Sequence, residues 1–365
     1  MKSIFIIFST IHIGGAEKRF TGLWKSFKDK EGGRIQLKLV LNPGLYNKLV
    51  ESGDINEEDT NVIVATLSEK NFWQYRSNLK NILKAQAVKG DVIHFIGLSP
   101  VIKTPGIKQL LSITGTKLNV DGFVNMMLIL ASALYANAID VLDPLLFKKI
   151  KNIFFWKRKK VYRTTNSFCD VNLFKPEPYS QKKDWIVFLG RFDAVKQVVQ
   201  LVEAIPFIYE KLQQVDRKDF QFYILGHGVL EAQMMELSKT PIFEKIPLTI
   251  CYTNEPADIL NKSKVFLSLQ LHNNYPSRSL LEAMAAGNIP VVTDIGQTRW
   301  IAKPEFSYYV PEKFTKENLA TVLAQAFNQS PDEWNAKSTA ARKLVVEEHD
   351  IKKMQDYFKA IYLQL

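Results

Sequence analysis

Short apolar runs alternate along the chain with segments that have the periodicity of amphipathic helices, about 3.6 residues. Apolar runs separated by such helices are typical of buried strands in parallel sheets built from βαβ units. The predicted strands are Ser3–Ser9, Ile35–Leu41, Asn61–Thr66, Val92–Ile96, Val161–Thr165, Trp185–Leu189, Phe220–Leu225, Leu248–Tyr252, Val265–Leu269 and Ile289–Thr293. The predicted helices include 15–29, 71–88, 196–213, 314–328 and two within 331–364, the second at Ile351–Leu363.

The segment Phe174–Lys183 interrupts this pattern, because it has two prolines and no periodicity, and a new strand begins directly after it. We therefore predict two α/β domains, each a doubly wound, Rossmann-like parallel sheet, facing a cleft where such folds bind ligands. The predicted divisions are an N-terminal domain at 1–176, a linker at 177–184, a C-terminal domain at 185–345 and a C-terminal helix at 346–365 that crosses back to the N-terminal domain.

The composition is that of a globular protein, with 46% hydrophobic and 23% charged residues, and it excludes a disordered tail, a collagen-like fibre and a disulfide scaffold. The net charge of +11 is uneven. Residues 1–180 hold 26 Lys and Arg against 15 Asp and Glu, whereas residues 181–365 hold 22 of each. An anionic partner of the N-terminal domain is therefore expected.

The chain has two cysteines, far apart, and no Cys/His spacing typical of zinc, so we expect no disulfide framework and no zinc site. No metal and no other cofactor is expected, because the two cations of the motif described below can meet the charge of a diphosphate. The apolar N-terminus continues into Gly14 and Gly15 without a small-residue cleavage site. We interpret it as a buried strand rather than a signal peptide, which favours a cytoplasmic protein.

The segment 148–163 has eight Lys or Arg, no acidic residue, and aromatic residues in its middle. Aromatic side chains among cations suit the interface of an anionic membrane. A solvated helix face is the alternative, and a nucleic-acid surface is disfavoured because no nucleic-acid-binding motif accompanies the segment. The predicted membrane surface comprises Lys148, Lys149, Lys151, Phe155, Trp156, Lys157, Arg158, Lys159 and Lys160.

A second segment, Gly122–Ile139, has 18 residues without a charge, at the lower limit for a membrane-spanning helix. We interpret it as a buried helix, with a helix lying in the membrane interface as the alternative.

Two glycine motifs follow predicted strands. Gly14 and Gly15 precede a helix, whose N-terminal amides suit a phosphate. Gly226 and Gly228 lack the third glycine of a dinucleotide fingerprint, since Glu231 takes that place, which argues against a nicotinamide oxidoreductase.

Gly190, Arg191 and Lys196 follow the first strand of the C-terminal domain. Two cations at the carboxyl edge of a sheet can neutralise a diphosphate leaving group without a metal. The alternative is a pair of surface cations at the start of a helix.

The most informative motif is residues 275–292, with Ser277 at a predicted helix start and Gly287 at its end. Glu282 lies in this helix among small apolar residues, where a carboxylate can accept hydrogen bonds from ribose hydroxyls. The alternative is that Glu282 pairs with a neighbouring residue.

Five motifs in order are GGAEKR, SFCDVNLFKP, FLGRFDAVK, ILGHGVLE and LLEAMAAGNIPVVTDIG. With them the chain resembles the family-four retaining glycosyltransferases of the GT-B fold, also described as glycosyl transferases group 1. The resemblance implies that the C-terminal domain binds a nucleotide-diphosphate sugar and the N-terminal domain holds the acceptor. It implies that the Gly15 amide, Arg191 and Lys196 contact the diphosphate, that Glu282 holds the ribose, and that Gly226 and Gly228 pass close to the base. The predicted donor-binding residues are Gly14, Gly15, Gly190, Gly226, Gly228, Asn274, Ser277, Ser279, Leu280 and Glu282.

One position departs from the family pattern. The family usually has a glutamate eight residues before Glu282, and here that residue is Asn274, or Asn273 if the register shifts by one. An amide can hydrogen-bond a sugar hydroxyl, but it cannot stabilise positive charge on the sugar.

The predicted catalytic residues are Arg191, Lys196 and His94, the last because it lies near the end of a strand and is expected to point to the cleft. His12 is the second candidate for an assisting side chain. We expect His227 and His272 near the sugar or base, and His349 at the surface.

Together with the basic and aromatic segment, the resemblance implies a cytoplasmic, metal-independent, hexosyltransferase-type enzyme peripherally associated with the inner face of the membrane; retention of configuration rests on the resemblance alone. The enzyme would transfer a sugar, with retention, from a nucleotide-diphosphate donor to a glycan or lipid-linked acceptor in surface polysaccharide or lipopolysaccharide biosynthesis. The alternative is a catalytically inactive GT-B-like protein that binds a glycan or serves as a scaffold at the membrane.

Overall fold

The computed structural model describes residues 1–8, 10–11, 13–28, 33–67, 71–114, 123–164, 168–214, 219–275 and 277–365. The chain forms two compact units. The N-terminal unit comprises Met1–Asn166 together with Ile351–Leu365, and the C-terminal unit comprises Ser167–Asp350.

The N-terminal unit is built on a seven-stranded parallel sheet in the order β3-β2-β1-β4-β5-β6-β7. Its strands are β1 Lys2–Phe8, β2 Ile35–Leu41, β3 Val62–Val64, β4 Val92–Ile96, β5 Lys108–Ile113, β6 Ala138–Val141 and β7 Val161–Arg163. The order reverses between β1 and β4, which pair directly from Ile4 with Val92 to Phe8 with Ile96. This is the strand order of a doubly wound, Rossmann-like sheet.

The helices of the N-terminal unit are α1 Gly15–Lys28, α2 Pro43–Glu51, α3 Phe72–Gln86, α4 Phe123–Tyr135, α5 Pro144–Ile153 and α12 Ile351–Gln364. A short 3-10 helix, Phe155–Lys160, follows α5. The sheet is buried, and β1 and β4 are apolar almost throughout, as expected for strands covered on both faces. Among the described residues, no helix is both long enough and apolar enough to cross a membrane.

The C-terminal unit repeats this architecture in a six-stranded parallel sheet of order β10-β9-β8-β11-β12-β13. The strands are β8 Lys183–Leu189, β9 Gln221–Leu225, β10 Leu248–Cys251, β11 Ser263–Ser268, β12 Ile289–Thr293 and β13 Tyr308–Val310. The helices are α6 Val198–Leu212, α7 Glu231–Ser238, α8 Ala257–Leu260, α9 Arg278–Ala285, α10 Lys316–Phe327 and α11 Pro331–Glu348.

Alternate residues of β8 divide between two apolar clusters on opposite faces of this sheet. Ile186 and Phe188 pack with the buried residues of α6 and α10. Val187 packs with α9 and α11. Successive side chains of a strand point to opposite faces, so a continuous apolar run such as β8 requires a helix layer on each side.

The unit boundary lies earlier in the chain than the segment 177–184. Cys169, Val171 and Phe174 are buried in the apolar cluster of α9 and α11, so this stretch packs as part of the C-terminal unit. The helix α12 packs in the N-terminal unit, where Phe358 and Tyr362 are fully buried.

Three strands were missed by the sequence pattern: β5, β6 and β13. The strand β6 begins inside the uncharged segment that we interpreted as one helix, and only Ala136 and Asn137 separate it from the end of α4. An uncharged run that changes from helix to strand across two residues, without Gly or Pro at the change, has little periodicity signal there.

Two glycines bring the loops after β8 and β9 into backbone contact. A Cβ on Gly226 would lie 1.9 Å from the Gly190 oxygen, and one on Gly228 would lie 2.6 Å from the Phe192 oxygen. The Phe192 amide donates to the His227 oxygen at 2.9 Å across the same contact. The course of the loop that begins at Gly190 therefore depends on the absence of side chains at these two positions.

We expect Gly226→Ala to destabilise the C-terminal unit by about 1–3 kcal/mol or more, because the added methyl group has to displace backbone. Urea denaturation followed by tryptophan fluorescence measures the change. The control is Gly22→Ala in α1, where a Cβ would meet nothing within 4 Å. An alanine there is expected to stabilise the helix by roughly 0.5–1 kcal/mol. Equal stability of the Gly226→Ala variant and the wild type would contradict the close approach.

Candidate nucleotide-sugar site

The carboxyl ends of β8 and β11 lie side by side at the point where the strand order of the C-terminal unit reverses. In open α/β sheets ligands bind outside the strands at such a point. The loops that leave the two strands are joined there, since the Leu271 amide donates to the Val195 oxygen at 3.0 Å. The structure therefore brings the segments 190–197 and 269–275 to one edge of the sheet.

A short 3-10 turn, Ala194–Lys196, organises the predicted diphosphate clamp. Asp193 caps the turn, because its Oδ1 accepts a hydrogen bond from the Lys196 amide at 3.1 Å. The other carboxylate oxygen lies 3.2 Å from the guanidinium of Arg191, whose side chain is 75% exposed. Asp193 thus holds the backbone at one predicted clamp residue and the side chain of the other.

The Lys196 side chain is half-buried in this loop. Burial lowers its pKa, Asp193 opposes that effect, and the charge of Arg191 adds to it. Among the described residues, the Lys196 ammonium makes no hydrogen bond and no ion pair. Asp193 is the nearby acidic group that acts on this pKa, and its carboxylate already serves the turn and Arg191, so the ammonium can still take an anion as a direct partner.

The two close-approach glycines lie beside an aromatic pair. The rings of His227 and Tyr252 are 4.8 Å apart between centroids at 75°, at the carboxyl ends of β9 and β10. Tyr252 is 48% exposed, and its hydroxyl donates to Asn254 Oδ1 at 2.6 Å. That His227 contacts sugar or base stays a prediction.

At the start of α9 the residues predicted to bind the donor have local partners. Ser277 is the N-cap, and its hydroxyl accepts a hydrogen bond from the Leu280 amide at 3.4 Å. Leu280 is fully buried, so its side chain belongs to the core, and its amide serves the cap. Ser279 is half-buried.

Glu282 is 6% exposed and pairs with Arg278 one turn earlier, with 2.7 Å between Oε1 and Nε. The sequence left open the alternative that Glu282 pairs with a neighbouring residue, and the structure shows that ion pair. The pair with Arg278 engages one of the two carboxylate oxygens, Oε1. Among the described residues no other hydrogen bond to the Glu282 carboxylate is formed, so the contact with a ribose stays a prediction.

Asn274 is turned into the protein, with 1% exposure. Its Oδ1 accepts from Ser268 Oγ at 2.7 Å and from Gln270 Nε2, and its Nδ2 donates to the Ser268 oxygen at 2.8 Å. Asn274 therefore braces the loop after β11, and the expectation that it offers its amide to a sugar is not met.

Asn273 is also engaged within the protein. Its Oδ1 accepts from the Gln297 amide at 3.0 Å, and its Nδ2 donates to Gln297 Oε1 at 3.0 Å. The two asparagines together fasten the loop after β11 to its neighbours.

In the N-terminal unit, Gly14 and Gly15 are exposed at the start of α1. The Gly14 amide donates to Glu17 Oε2 at 2.8 Å, so a carboxylate already occupies part of this helix N-terminus. That Gly15 donates to a diphosphate stays a prediction.

His94 does not point out of its strand, and this corrects the sequence expectation. It is 0% exposed, with Nδ1 2.7 Å from the Tyr362 hydroxyl and Nε2 2.7 Å from the Ser112 hydroxyl. Ser112 donates onward to Asp140 Oδ2 at 2.7 Å. The Ser112 hydroxyl has one hydrogen, which it donates to Asp140, so towards His94 it can only accept. We therefore infer that His94 donates from Nε2 to Ser112 and accepts at Nδ1 from the Tyr362 hydroxyl.

Burial lowers the pKa of His94 to about 3, and Arg19 adds to the effect. The imidazole is therefore neutral at physiological pH. Its role is to join β4 and β5 to α12 rather than to assist catalysis.

The remaining histidines differ in position. His272 is exposed, whereas His349, expected at the surface, is 1% exposed and ends α11. His12 lies outside the described residues.

The predicted membrane surface is exposed for the most part. Phe155 and Trp156 are 68% and 57% exposed, and their rings touch with 5.1 Å between centroids. Lys148, Lys149, Arg158, Lys159 and Lys160 are exposed around them, and Lys151 is half-buried.

Lys157 is the exception, because its ammonium caps the end of α4. It donates to the oxygens of Ala133, Leu134 and Ala136, at 2.7 Å for Ala136. A cation at the carboxyl end of a helix stabilises the last carbonyl groups, so Lys157 is a structural residue. The cap also places the end of α4 beside the 3-10 helix.

The segment interpreted as a buried helix is only partly buried. On α4, Phe123 is 70% exposed, Met127 48% and Leu134 50%. Of these side chains, Leu134 lies at the end of α4 that Lys157 caps.

Sequence reasoning missed three residues at the site: Asp193, Arg278 and Gln197. The spacing of Asp193 three residues before Lys196 is an N-cap signal and was available. The spacing of Arg278 and Glu282 is that of a helical ion pair. Gln197 has no such signal, because only the backbone conformation distinguishes it.

Among the described residues, no group of three or more His, Cys, Asp and Glu side chains is arranged to hold a metal ion.

A family model matches most of the C-terminal unit. Residues 172–343 match the family model described as glycosyl transferases group 1. No curated protein matches the chain by sequence.

Several solved structures resemble the whole chain in fold. TarM from S. aureus, solved in complex with fondaparinux, alpha-GlcNAc-glycerol and UDP, has a TM-score of 0.70 and 12% identity over 99% of this chain and 100% of its own. A glycosyltransferase from Rickettsia africae has a TM-score of 0.71 and 16% identity over 100% and 98%. HepE from Anabaena, in complex with UDP and glucose, has a TM-score of 0.68 and 12% identity over 100% of both chains. The predicted architecture of two Rossmann-like sheets is confirmed.

The buried His94 predicts an acid sensitivity of the N-terminal unit. The pKa of His94 is about 3 in the folded chain and 6.5 in the unfolded chain. Between these pH values the imidazole is protonated in the unfolded chain and neutral in the folded chain. Stability is therefore present above the unfolded pKa and is lost as the pH falls from 6.5 towards 3, by up to about 1.4 kcal/mol per pH unit.

Thermal unfolding of the wild type and of His94→Gln between pH 7 and pH 4.5 measures this effect. The variant is expected to be less stable at pH 7 and to lose less stability on acidification. His272→Gln, which removes an exposed histidine, is the control and keeps the wild-type acid slope. If the stability of His94→Gln fell with pH as steeply as that of the wild type, His94 would not be the source of the acid sensitivity.

Proposed function

We propose, on the premise that this chain is a GT-B glycosyltransferase whose C-terminal unit belongs to the glycosyl transferases group 1, that it transfers a hexose-type sugar from a nucleotide-diphosphate donor. The acceptor would be a glycan or a lipid-linked glycan of surface polysaccharide or lipopolysaccharide biosynthesis. The observation that carries the proposal is the partly buried Lys196 ammonium at the switch point of the sheet, which makes no hydrogen bond and no ion pair to any described residue.

The similar solved structures support the donor class. TarM and HepE were both solved with UDP, and the pneumococcal O-GlcNAc transferase GtfA was solved with UDP and GlcNAc. We propose the same chemical class, a nucleoside diphosphate sugar, for this chain.

The proposed reaction breaks the bond between the anomeric carbon of the sugar and the diphosphate. Negative charge then grows on the leaving phosphate, and fixed cations stabilise it most when they are already in place. Lys196 and Arg191 would supply those charges, Lys196 as a point charge and Arg191 by its planar fork. Asp193 would position both residues. No step of this proposal requires a metal ion.

Retention of configuration is proposed from the resemblance to the retaining family. In that reaction the leaving phosphate helps to remove the proton of the acceptor hydroxyl on the same face. The burial of His94 agrees with a reaction that takes no proton onto this side chain.

We also propose that the N-terminal unit docks peripherally on an anionic membrane, where a lipid-linked acceptor would lie. Exposed Phe155 and Trp156 can enter the interface, and the surrounding cations add on the order of 1 kcal/mol each towards anionic lipid. Lys157 is excluded from this surface because it caps α4.

A second function has one specific observation in its favour. The family's first glutamate is replaced by Asn274, or by Asn273 if the register shifts by one, and the side chains of both asparagines form hydrogen bonds within the protein. An inactive, glycan-binding or scaffold relative would bind the nucleotide without turnover. Transfer or hydrolysis across UDP-, GDP- and ADP-sugars decides between the two functions.

Lys196→Ala is expected to weaken nucleoside diphosphate binding and to lower kcat/KM by about 10- to 100-fold, the loss of one charge-assisted hydrogen bond. Calorimetry with UDP, GDP and ADP measures the affinity, and the donor panel measures the rate. Because the pKa of Lys196 is lowered, wild-type affinity falls as the pH rises through that pKa, and the dependence is absent in the variant. Lys211→Ala, an exposed lysine at the other end of α6, is the matched control. Wild-type affinity of Lys196→Ala for every nucleoside diphosphate would rule out a contact between Lys196 and the diphosphate.

The double variant Phe155→Ala/Trp156→Ala is expected to reduce binding to phosphatidylglycerol vesicles by about tenfold or more, because two apolar side chains no longer leave water. Sedimentation measures the bound fraction, and higher salt weakens the binding of the wild type. Trp73→Ala, which removes a 74% exposed tryptophan of α3, is the control. Equal binding of the wild type to phosphatidylcholine and phosphatidylglycerol would count against the membrane surface.

A further inference from the structure

Gln197 has an unusual backbone conformation for its residue type. It lies at φ 50° and ψ 33°, in the left-handed region, between the 3-10 turn Ala194–Lys196 and α6. Among the described residues only Val101 is another non-glycine residue with positive φ. Such strain persists where the surrounding structure holds it, and it is frequent at ligand sites. Here the Gln197 amide donates to the Ala194 oxygen at 3.1 Å, and the Gln197 oxygen accepts from Leu201 at 3.0 Å.

The side-chain amide of Gln197 is buried, and its nitrogen makes no hydrogen bond to any described residue. The residue is 4% exposed. Buried amide donors are nearly always satisfied, so an exception calls for a group that the protein chain does not supply.

The surroundings of this donor favour an anion. Lys196 is the preceding residue, and its ammonium also has no partner among the described residues. Gln197 is the N-cap of the 15-residue helix α6, and no side chain caps that helix end. Helix N-terminal amides and the helix dipole attract phosphate groups. The carboxylate in the turn, Asp193, is directed to the Lys196 amide and to Arg191.

We propose that Gln197 is a further donor-binding residue, which gives a hydrogen bond from Nε2 to a diphosphate oxygen of the nucleotide sugar. Lys196, the Gln197 amide and the N-terminal amides of α6 then form one anion site. This inference rests on the proposed function for the identity of the donor. The left-handed backbone at Gln197 sets the start of α6 and the position of the side chain beside Lys196.

Two substitutions at Gln197 test the proposal. Gln197→Gly removes the side-chain amide and adopts φ 50° without strain, which offsets part of the packing lost with a buried side chain, and thermal unfolding checks that the variant is folded. Its affinity for pyrophosphate and for UDP, GDP or ADP is expected to fall by about tenfold. Gln197→Glu keeps the size of the side chain and places a negative charge at the site, so its affinity is expected to fall further.

Calorimetry with pyrophosphate and with each nucleoside diphosphate is the measurement. Gln213→Glu is the matched control, because it makes the same change at the opposite end of α6, and it leaves both affinities unchanged. Wild-type affinity for both probes in Gln197→Gly overturns the inference. If the wild type binds pyrophosphate but no nucleoside diphosphate, the proposed function fails, and the pyrophosphate affinity of Gln197→Gly still decides the inference. If the wild type binds neither probe, both are overturned.

Discussion

The close contact between the loops after β8 and β9 determines how the C-terminal unit presents its chemistry. Gly226 and Gly228 have no side chains, and the backbone of Gly190 and Phe192 occupies the space that a Cβ would need. The loop from β8 is thereby held against its neighbour before it turns through Asp193 into α6. The positions of Arg191, Lys196 and Gln197 all follow from that turn. A clamp for a diphosphate needs charges that stay in place without reorganising, and a backbone contact of this kind supplies the rigidity.

The loop after β11 has a different kind of support. Asn274 and Asn273 form hydrogen bonds with β11 and with Gln297, where a sugar-binding loop is expected to offer polar groups outward. Buried amides whose hydrogen bonds are satisfied specify one loop conformation, because any other leaves them unpaired in a low-dielectric interior. The same principle governs the N-terminal unit, where His94, Ser112 and Asp140 form a buried chain that reaches Tyr362 of α12.

The positive charge of the N-terminal half divides between two roles. Most cations of the segment 148–160 are exposed beside aromatic side chains, but Lys157 is spent on the carbonyl groups that end α4. In the C-terminal unit, Lys196 is partly withdrawn from water, and among the described residues its ammonium makes no hydrogen bond and no ion pair although Asp193 lies nearby. The net charge counts a solvated lysine, a lysine that caps a helix and a partly buried lysine without a hydrogen bond in the same way. Burial and hydrogen-bond geometry distinguish the three.

The sequence by itself determined the two Rossmann-like sheets, because apolar runs of strand length separated by amphipathic helices have few other ways to bury their surface. It also predicted the capped start of α9 at Ser277, whose signal is local. The direction of each polar side chain and its hydrogen-bond partners depended on the tertiary structure. His94 is turned inward by Tyr362, which is distant in the chain, and by Ser112 on the neighbouring strand. Asn274 is turned inward by Ser268 and Gln270, which the course of the loop after β11 brings to it. The role proposed for Gln197 rests on a backbone angle that its residue type does not encode. Periodicity and spacing report which face of an element is apolar, whereas the direction and partners of one polar group depend on contacts that form only when the sheet is assembled.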